Sequence, residues 1–587
     1  MKSILIVALF AFGVARCLDR DFRLPESLRP IEYIVELTYD REHPGDSHPA
    51  RVRVHFVCSE STDQLVLHAD ELTIEGATAC DDYTGPCTGL QLQFNTNSEE
   101  QSVTFTGASY EAGQSYFVEV RSRYNVRSSG GAQAGGAFSS PGLYHVITQG
   151  EQLGIRKIFP LFDEPDLKAI FRLTVIVLHS EHPGEVYKAI SNAEVQELRS
   201  ESETTTTIFK PTVKMSSYLF AFAVPVQGND GVSTSESNPR STVYGRSDDS
   251  SARRIGEFTR RVVLFYSDYF GVSDPLDKVD YATAFDFLAM ENWGLIYGAS
   301  SSGTIIHEVA HSWFGNMVTT KFWDDVWLNE GWTAYATAAA LTHFELGDTE
   351  RELRSISSGA VSRYCSNRVP LKSLNFYGSL SDMLSQSSMI YNKGGAVARM
   401  CAELLAGSRR EAALIIGERY LSRFFLDNAD SEGMADALSG GDALLKEAML
   451  DFAIQGCSVY SELGGLPRLL VDFDSGAQEF VFTQSSCIGG STRWSIPIFH
   501  SIRGQLVRPV PIFPKNQQEF RLPLADGESP SDYDFNPNVE APISVRSALK
   551  SKIAADPKMR FRYPTEEQLK NEPAPQFTPE WIKKFEK

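Results

Sequence analysis

Between residues 18 and 227, hydrophobic and polar positions alternate in short runs broken by Gly, Pro and Asn/Asp. In Arg51–Cys58, Val52, Val54 and Phe56 fall on one side while Arg51, Arg53 and His55 fall on the other, the period of a strand with one face buried. Runs of the same kind recur at Glu32–Leu37, Val103–Phe105, Tyr116–Val120 and Phe171–Leu178. They predict an all-β N-terminal domain of sheets packed face to face. The Ser/Gly/Ala stretch Ser128–Ser140 reads as an exposed loop. From residue 228 to 460 the period lengthens to that of a helix, in Ala252–Phe270, Gly303–Met317, Glu330–Phe344, Leu384–Leu405 and Arg410–Phe425. Alternation returns from 461 to 545, in Arg468–Asp474, Glu479–Gln484, Arg493–Ile502, Gln505–Phe513 and Phe520–Leu524, and suggests a small β-sandwich. Residues 546–587, rich in Lys, Arg and Pro, read as a short C-terminal tail. The fold class is therefore multidomain α+β, and 587 residues suffice for several cores.

Ahead of these domains, residues 1–17 have the plan of a signal peptide. Lys2 supplies the positive start, Ser3 to Val14 the apolar core, and Ala15 and Cys17 the small residues before a cut at Leu18. That core is too short to span a bilayer and no other long apolar run follows, so a secreted chain without a transmembrane span is expected. The net charge of −20 argues against nucleic acid or anionic lipid as partner, because both need a basic face. Cys80 and Cys87 flank a turn-rich Asp-Asp-Tyr-Thr-Gly-Pro segment that a local disulfide can close; Cys58, Cys365, Cys401, Cys457 and Cys487 cannot be paired from sequence.

The chemistry concentrates in His307-Glu308-Val309-Ala310-His311 and Trp327-Leu328-Asn329-Glu330-Gly331. Histidines four apart on a helix share one face, so two imidazoles can grip one ion while Glu308 reaches a water upon it. A third histidine in the metzincin pattern would stand at position 317, with Gly at 314, and this chain has Met317 and Phe314. Glu330, separated from His311 by eighteen residues, is placed to be the third ligand from a second antiparallel helix. Two His and one Glu leave a fourth position of a zinc ion open for water.

Together, HEVAHSWFG at His307–Gly315 and WLNEGWTAY at Trp327–Tyr335 resemble the M1 zinc aminopeptidases. The resemblance implies one Zn2+ per chain in a thermolysin-like, mostly α catalytic domain, and peptides with a free N-terminus as substrates. It extends to Ala289-Met290-Glu291-Asn292, similar to the family's G-x-M-E-N strand that pairs with substrate backbone and binds its amino group through Glu, here Glu291. It extends also to Thr148-Gln149-Gly150-Glu151, where Glu151 matches a residue that points into the cleft, and to Tyr391-Asn392-Lys393-Gly394, where Tyr391 matches a hydroxyl that stabilises the tetrahedral intermediate. Glu308 is expected as general base. Many relatives continue into a large helical domain that these 587 residues do not contain, as if truncated after the third domain.

Two departures bear on activity. Leu288 and Ala289 stand where the signature begins with Gly, and only Tyr297–Gly303 and a few flanking residues link Trp293-Gly294 to the first metal helix, where relatives carry a longer segment. The sequence thus supports a secreted zinc aminopeptidase with a Glu general base. Its alternative is a catalytically impaired, peptide-binding or receptor-like relative with a shortened substrate-binding region.

Overall fold

The computed structural model describes residues 23–81, 85–128, 134–226, 231–235, 238–245, 248–283, 289–364, 371–373, 389–454, 466–487, 493–538 and 540–547. The leader at 1–17, Phe287-Leu288 and nearly all of the expected tail lie outside them.

The N-terminal region is one 14-stranded sheet system. Leu28–Asp40 sits inside it, antiparallel to Ser47–Cys58 and parallel to Ile170–Leu178. The period-two pattern is the reason: Tyr33, Val35, Leu37 and Tyr39 are buried along the first strand, and Val52, Val54 and Phe56 along the second. Toward one end the order runs Ser115–Arg127, Gly136–Ser140, Tyr144–Gln149, Phe222–Pro225. The Ser128–Ser140 stretch is therefore not a loop throughout. Gly136–Ser140 is a strand, paired with Tyr144–Gln149, and Ala137 and Phe138 are buried. Its small residues carry no alternation signal, yet they let two backbones approach: a Cβ on Gly135 would lie 2.9 Å from the Gly154 Cα. The disulfide Cys80–Cys87 forms, and Cys58 and Cys401 are buried free thiols.

The helical region begins with α1 (Asp249–Phe270), capped by the Asp248 carboxylate on the Ser250 and Ser251 amides and ended by Gly271 at φ 68°. It packs on a five-stranded sheet ordered Val232–Ser235, Ser241–Tyr244, Asp280–Thr283, Leu295–Gly298, Ala289–Met290. Next come α2 (Ser302–Ala310), α3 (Trp327–Ala340), α4 (Thr349–Tyr364), α5 (Gly394–Leu405), α6 (Arg409–Ile416), α7 (Ser431–Ser439) and α8 (Ala443–Ile454). Several expected helices are shorter than their apolar period. The Gly303–Met317 run is helical only to Ala310, because Gly315 at φ 129° turns the chain back and Phe314 bridges Val318. The described part of Leu384–Leu405 opens with a π turn at Met389–Lys393 before α5, and Arg410–Phe425 passes from α6 into a second π turn at Gly417–Leu421. No helix among the described residues is long and apolar enough to cross a membrane.

Beyond α8, Glu519–Pro523, Glu479–Ser486, Pro467–Asp474 and Ser544–Ser547 form a four-stranded sheet. A three-stranded sheet of Gln505–Leu506, His500–Ile502 and Tyr533–Phe535 faces it through aromatic contacts. Phe480 lies 4.8 Å from Tyr533 and 4.9 Å from Phe535, and Phe482 lies 5.1 Å from Phe535. The expected single strands Arg493–Ile502 and Gln505–Phe513 are each split, into Ile496–Pro497 and His500–Ile502 and into Gln505–Leu506 and Ile512–Phe513. Pro497, Pro509 and Pro511 lack the N–H that a continuous ladder needs. Ser544–Ser547 carries the sheet two residues into the stretch read as tail.

The β-rich N-terminal region is tied to non-helical segments of the following region beside the site. The buried Lys168 Nζ donates to the Asn316 and Met317 carbonyls at 3.0 and 3.1 Å, and Asn428 Nδ2 donates to the Pro165 carbonyl at 2.8 Å.

Candidate metal centre

The short helix α2 starts where the Ser301 side chain accepts from the Thr304 amide, and Ile305, Ile306, Val309 and Ala310 anchor it in the core. Only Ala299, Ser300 and Ser301 separate it from the strand Leu295–Gly298, so the short connection still delivers His307 and His311 to one face. The same inward face of α3 presents Glu330 from its first turn, at the end of a chain path fixed by the buried Asp325, which accepts from Trp327 Nε1 and Ser431 Oγ.

Three donor atoms converge. His307 Nε2 and His311 Nε2 are 3.2 Å apart, and Glu330 Oε2 lies 3.6 Å from the first and 3.5 Å from the second. A tetrahedron with metal–ligand bonds of about 2.0–2.1 Å has edges of about 3.3–3.4 Å, which these separations match. Glu330 Oε2 is buried and has no hydrogen-bond partner among the described residues. A buried carboxylate oxygen left without a donor is costly unless a cation meets it. The residues therefore fit a metal ion.

Around this triangle the other expected residues gather. Oxygens of Glu291 and Glu308 group with His311, and oxygens of Glu151 and Glu291 with Glu330, each group within 4.8 Å. Burial raises the Glu308 carboxyl well above its usual range, and the charges of Glu291 and Glu330 add to that. Burial likewise raises Glu151, reinforced by Glu291 and Glu330, and raises Glu291. Burial also pushes Glu330 upward, but the two imidazoles, His311 first, more than offset it and hold the carboxyl low. His311 is raised because Glu291 and Glu330 outweigh its burial, whereas burial lowers His307. Four carboxylates thus crowd a buried space that a divalent cation would balance.

Tyr391, in the π turn ahead of α5, has its ring 5.8 Å from that of His307. Burial raises its hydroxyl well above the usual range, and so do Glu330, Glu151, Glu308 and Glu291, which places it among all four carboxylates. Ala289–Met290 is the edge strand of the five-stranded sheet, paired with Leu295–Gly298 on one side. Among the described residues, the buried Asn292 finds a partner for neither side-chain amide atom, and Oε1 of Glu151 and Oε1 of Glu291 find none either.

Residues 29–219 match the Peptidase M1 N-terminal domain, and residues 256–452 match the Peptidase family M1 domain. The chain belongs to the M1 peptidase family. Among its M1 relatives is a glutamyl aminopeptidase of Sus scrofa, 27% identical over 495 residues that cover 73% of this chain and 48% of the relative. An endoplasmic reticulum aminopeptidase 2 of Bos taurus is 28% identical over 479 residues, covering 71% and 46%. An aminopeptidase Q of Mus musculus is 29% identical over 473 residues, covering 70% and 80%. The chain spans about half the length of the glutamyl aminopeptidases it matches.

Side chains that sequence reasoning passed over complete this M1 site. Tyr218, from the β-rich region, donates to the Gly315 carbonyl at 3.0 Å and contacts Glu291, while Asn316 Nδ2 holds the Glu291 carbonyl at 2.9 Å. Thr333 and Thr337 stand behind the two histidines. The threonines were open to discovery, since they lie three and seven residues after Glu330 on one helix face. Tyr218 carried no such signal, because its approach depends on how the β-rich region docks.

Proposed function

We propose that this chain is a zinc-dependent aminopeptidase that removes N-terminal residues from peptides, with one zinc ion held by His307, His311 and Glu330. The observation that carries the reading is Glu330 Oε2, buried and unpartnered, facing both imidazole Nε2 atoms at 3.5 and 3.6 Å. When bound, zinc supplies Lewis acidity toward a peptide carbonyl and lowers the pKa of water. Glu308 takes a proton from the attacking water and returns it to the leaving amine, the work of a buried carboxyl with high proton affinity. Tyr391 donates its hydroxyl to the oxyanion that develops on the carbonyl.

The preference for chain ends comes from Glu151 and Glu291. A free α-amino group is largely protonated near neutral pH, and it satisfies their unpartnered oxygens by charge-assisted hydrogen bonds. An internal peptide segment brings no ammonium and leaves Oε1 of each carboxylate buried without a donor. The backbone of the edge strand Ala289–Met290, followed by the Asn292 amide, is placed to register the substrate. The leader-like start of the chain and the Cys80–Cys87 disulfide support secretion.

The test is a panel of aminoacyl fluorogenic amides, free and N-acetylated, with and without a chelator. Turnover is expected on free amines, lost on acetylation and on metal removal. Glu308→Gln is expected to lower turnover about 10²–10⁴-fold with the metal retained. Bound metal without turnover on any member of the panel would instead support a peptide-binding role.

A further inference from the structure

We propose that Thr333 and Thr337 are positioning residues that lock both metal-ligating imidazoles with the proton on Nδ1, so that the helix face supplying Glu330 also sets the affinity of the site for its metal. The inference rests on the metal reading above and concerns what prepares the two histidines for it.

The argument is one of counting protons. A hydroxyl has one proton to give. Thr337 Oγ1 donates its proton to the Thr333 carbonyl at 2.8 Å, and Thr333 Oγ1 donates its proton to the Phe314 carbonyl at 3.1 Å. Both carbonyls only accept. Toward the imidazoles the two hydroxyls are therefore acceptors. His307 Nδ1, 3.3 Å from Thr337 Oγ1, must carry a hydrogen, and so must His311 Nδ1, 3.2 Å from Thr333 Oγ1 and 3.0 Å from the Phe314 carbonyl. With neutral rings, both Nε2 atoms are then bare lone pairs, 3.2 Å apart, pointing at each other and at Glu330 Oε2. Two lone pairs and a carboxylate oxygen converging on one point repel unless a cation stands between them. The two hydroxyls and the Phe314 carbonyl thus select, for each neutral ring, the tautomer that offers Nε2 to a metal.

Burial makes the device effective. Thr333 is 0% exposed and Thr337 5%, so water does not replace a lost hydroxyl. The spacing is economical as well: Glu330, Thr333 and Thr337 are i, i+3 and i+7 on α3, one stripe of one helix. The two hydroxyls are not equivalent. His311 keeps the Phe314 carbonyl when Thr333 is altered, whereas Thr337 is the acceptor seen for His307. Without Thr337, a proton on Nε2 becomes competitive and blocks a ligand position.

The experiment measures the zinc dissociation constant of the full chain by competition with a fluorescent chelator. Thr337→Val, nearly isosteric, is expected to weaken zinc binding about 10–100-fold, as loss of such supporting hydrogen bonds does. Thr337→Ser is expected to restore wild-type affinity within about threefold, and Thr333→Val to cost only a few-fold because Phe314 still accepts. The melting temperature of each metal-free variant separates positioning from packing. Equal affinity of Thr337→Val and wild type would overturn the proposal, and so would equal losses in the Ser and Val variants that track a lowered metal-free melting temperature. A wild-type chain that binds no zinc overturns the metal reading itself, and that result precedes any comparison of variants.

Discussion

Helices α3 and α5 touch backbone to backbone, and the contact lies between the residue after Glu330 and the third residue after Tyr391. A Cβ built on Gly331 would sit 2.6 Å from the Gly394 carbonyl carbon and 2.8 Å from its Cα. Carbon atoms in contact prefer about 3.5–4.0 Å, so Gly331→Ala must separate the helices by about 1 Å. Both neighbours are backbone, so no flexible side chain gives way. The overpacking costs about 1–3 kcal/mol and is offset in part by about 1 kcal/mol from replacing Gly inside a helix. The fold therefore survives, but Tyr391 shifts by about 1 Å relative to Glu330, and displacements of that size cost about 100-fold in rate. Gly394→Ala is gentler: its Cβ would meet Gly331 Cα at 3.1 Å, and the loss should be smaller. The assay is kcat and KM on the best aminoacyl amide, with metal content and melting temperature measured on the same samples. Full turnover in a folded, metal-loaded Gly331→Ala variant would refute the idea that this contact places Tyr391. So would a larger loss in Gly394→Ala than in Gly331→Ala.

Two further outcomes follow from groups away from the chemistry. Lys168→Met removes the donor to the Asn316 and Met317 carbonyls; the Asn316 carbonyl keeps a 3.3 Å contact from the Thr319 hydroxyl while the Met317 carbonyl loses its Lys168 donor, so urea denaturation should show a loss of about 1–3 kcal/mol; an unchanged midpoint would show that the Lys168 amine does not hold the two regions together. His145 is lowered to about 4, by burial first and by Arg41 second. Its folded pKa lies below the unfolded value of about 6.5, so between those values the unfolded chain binds more protons, and stability falls as pH drops through this window. The full shift corresponds to about 3 kcal/mol, discounted to about 1–2 because the ring is partly exposed. Wild type should therefore lose that much more stability than His145→Gln between pH 7 and pH 4, and parallel melting profiles would contradict it.

What could be read from the chain alone divides by range of interaction. The strands Leu28–Asp40 and Ser47–Cys58 were legible because each has one buried face, which imposes a period of two. The convergence of three side chains that could hold a metal was legible because His307 and His311 are local partners on one helix and Glu330 heads another. Glu151 entered only through resemblance to a family, since no local pattern brings the end of Tyr144–Gln149 to a helix more than 150 residues away. Gly136–Ser140 was misread because small residues bury little and so leave no period, and the split strands because proline interrupts pairing without interrupting hydrophobicity. The helix ends were overrun for a related reason: Gly315 ends α2 while Trp313, Phe314 and Met317 continue to be buried.

Three residues, Ala299 to Ser301, join the substrate-edge sheet to the helix bearing His307. A link of that length reaches at most about 10 Å when taut. On the function proposed above, a peptide pulling on the sheet margin would pull on the helix of His307 through this short link. Lengthening this tether would then test whether holding a chain end and removing it can be separated.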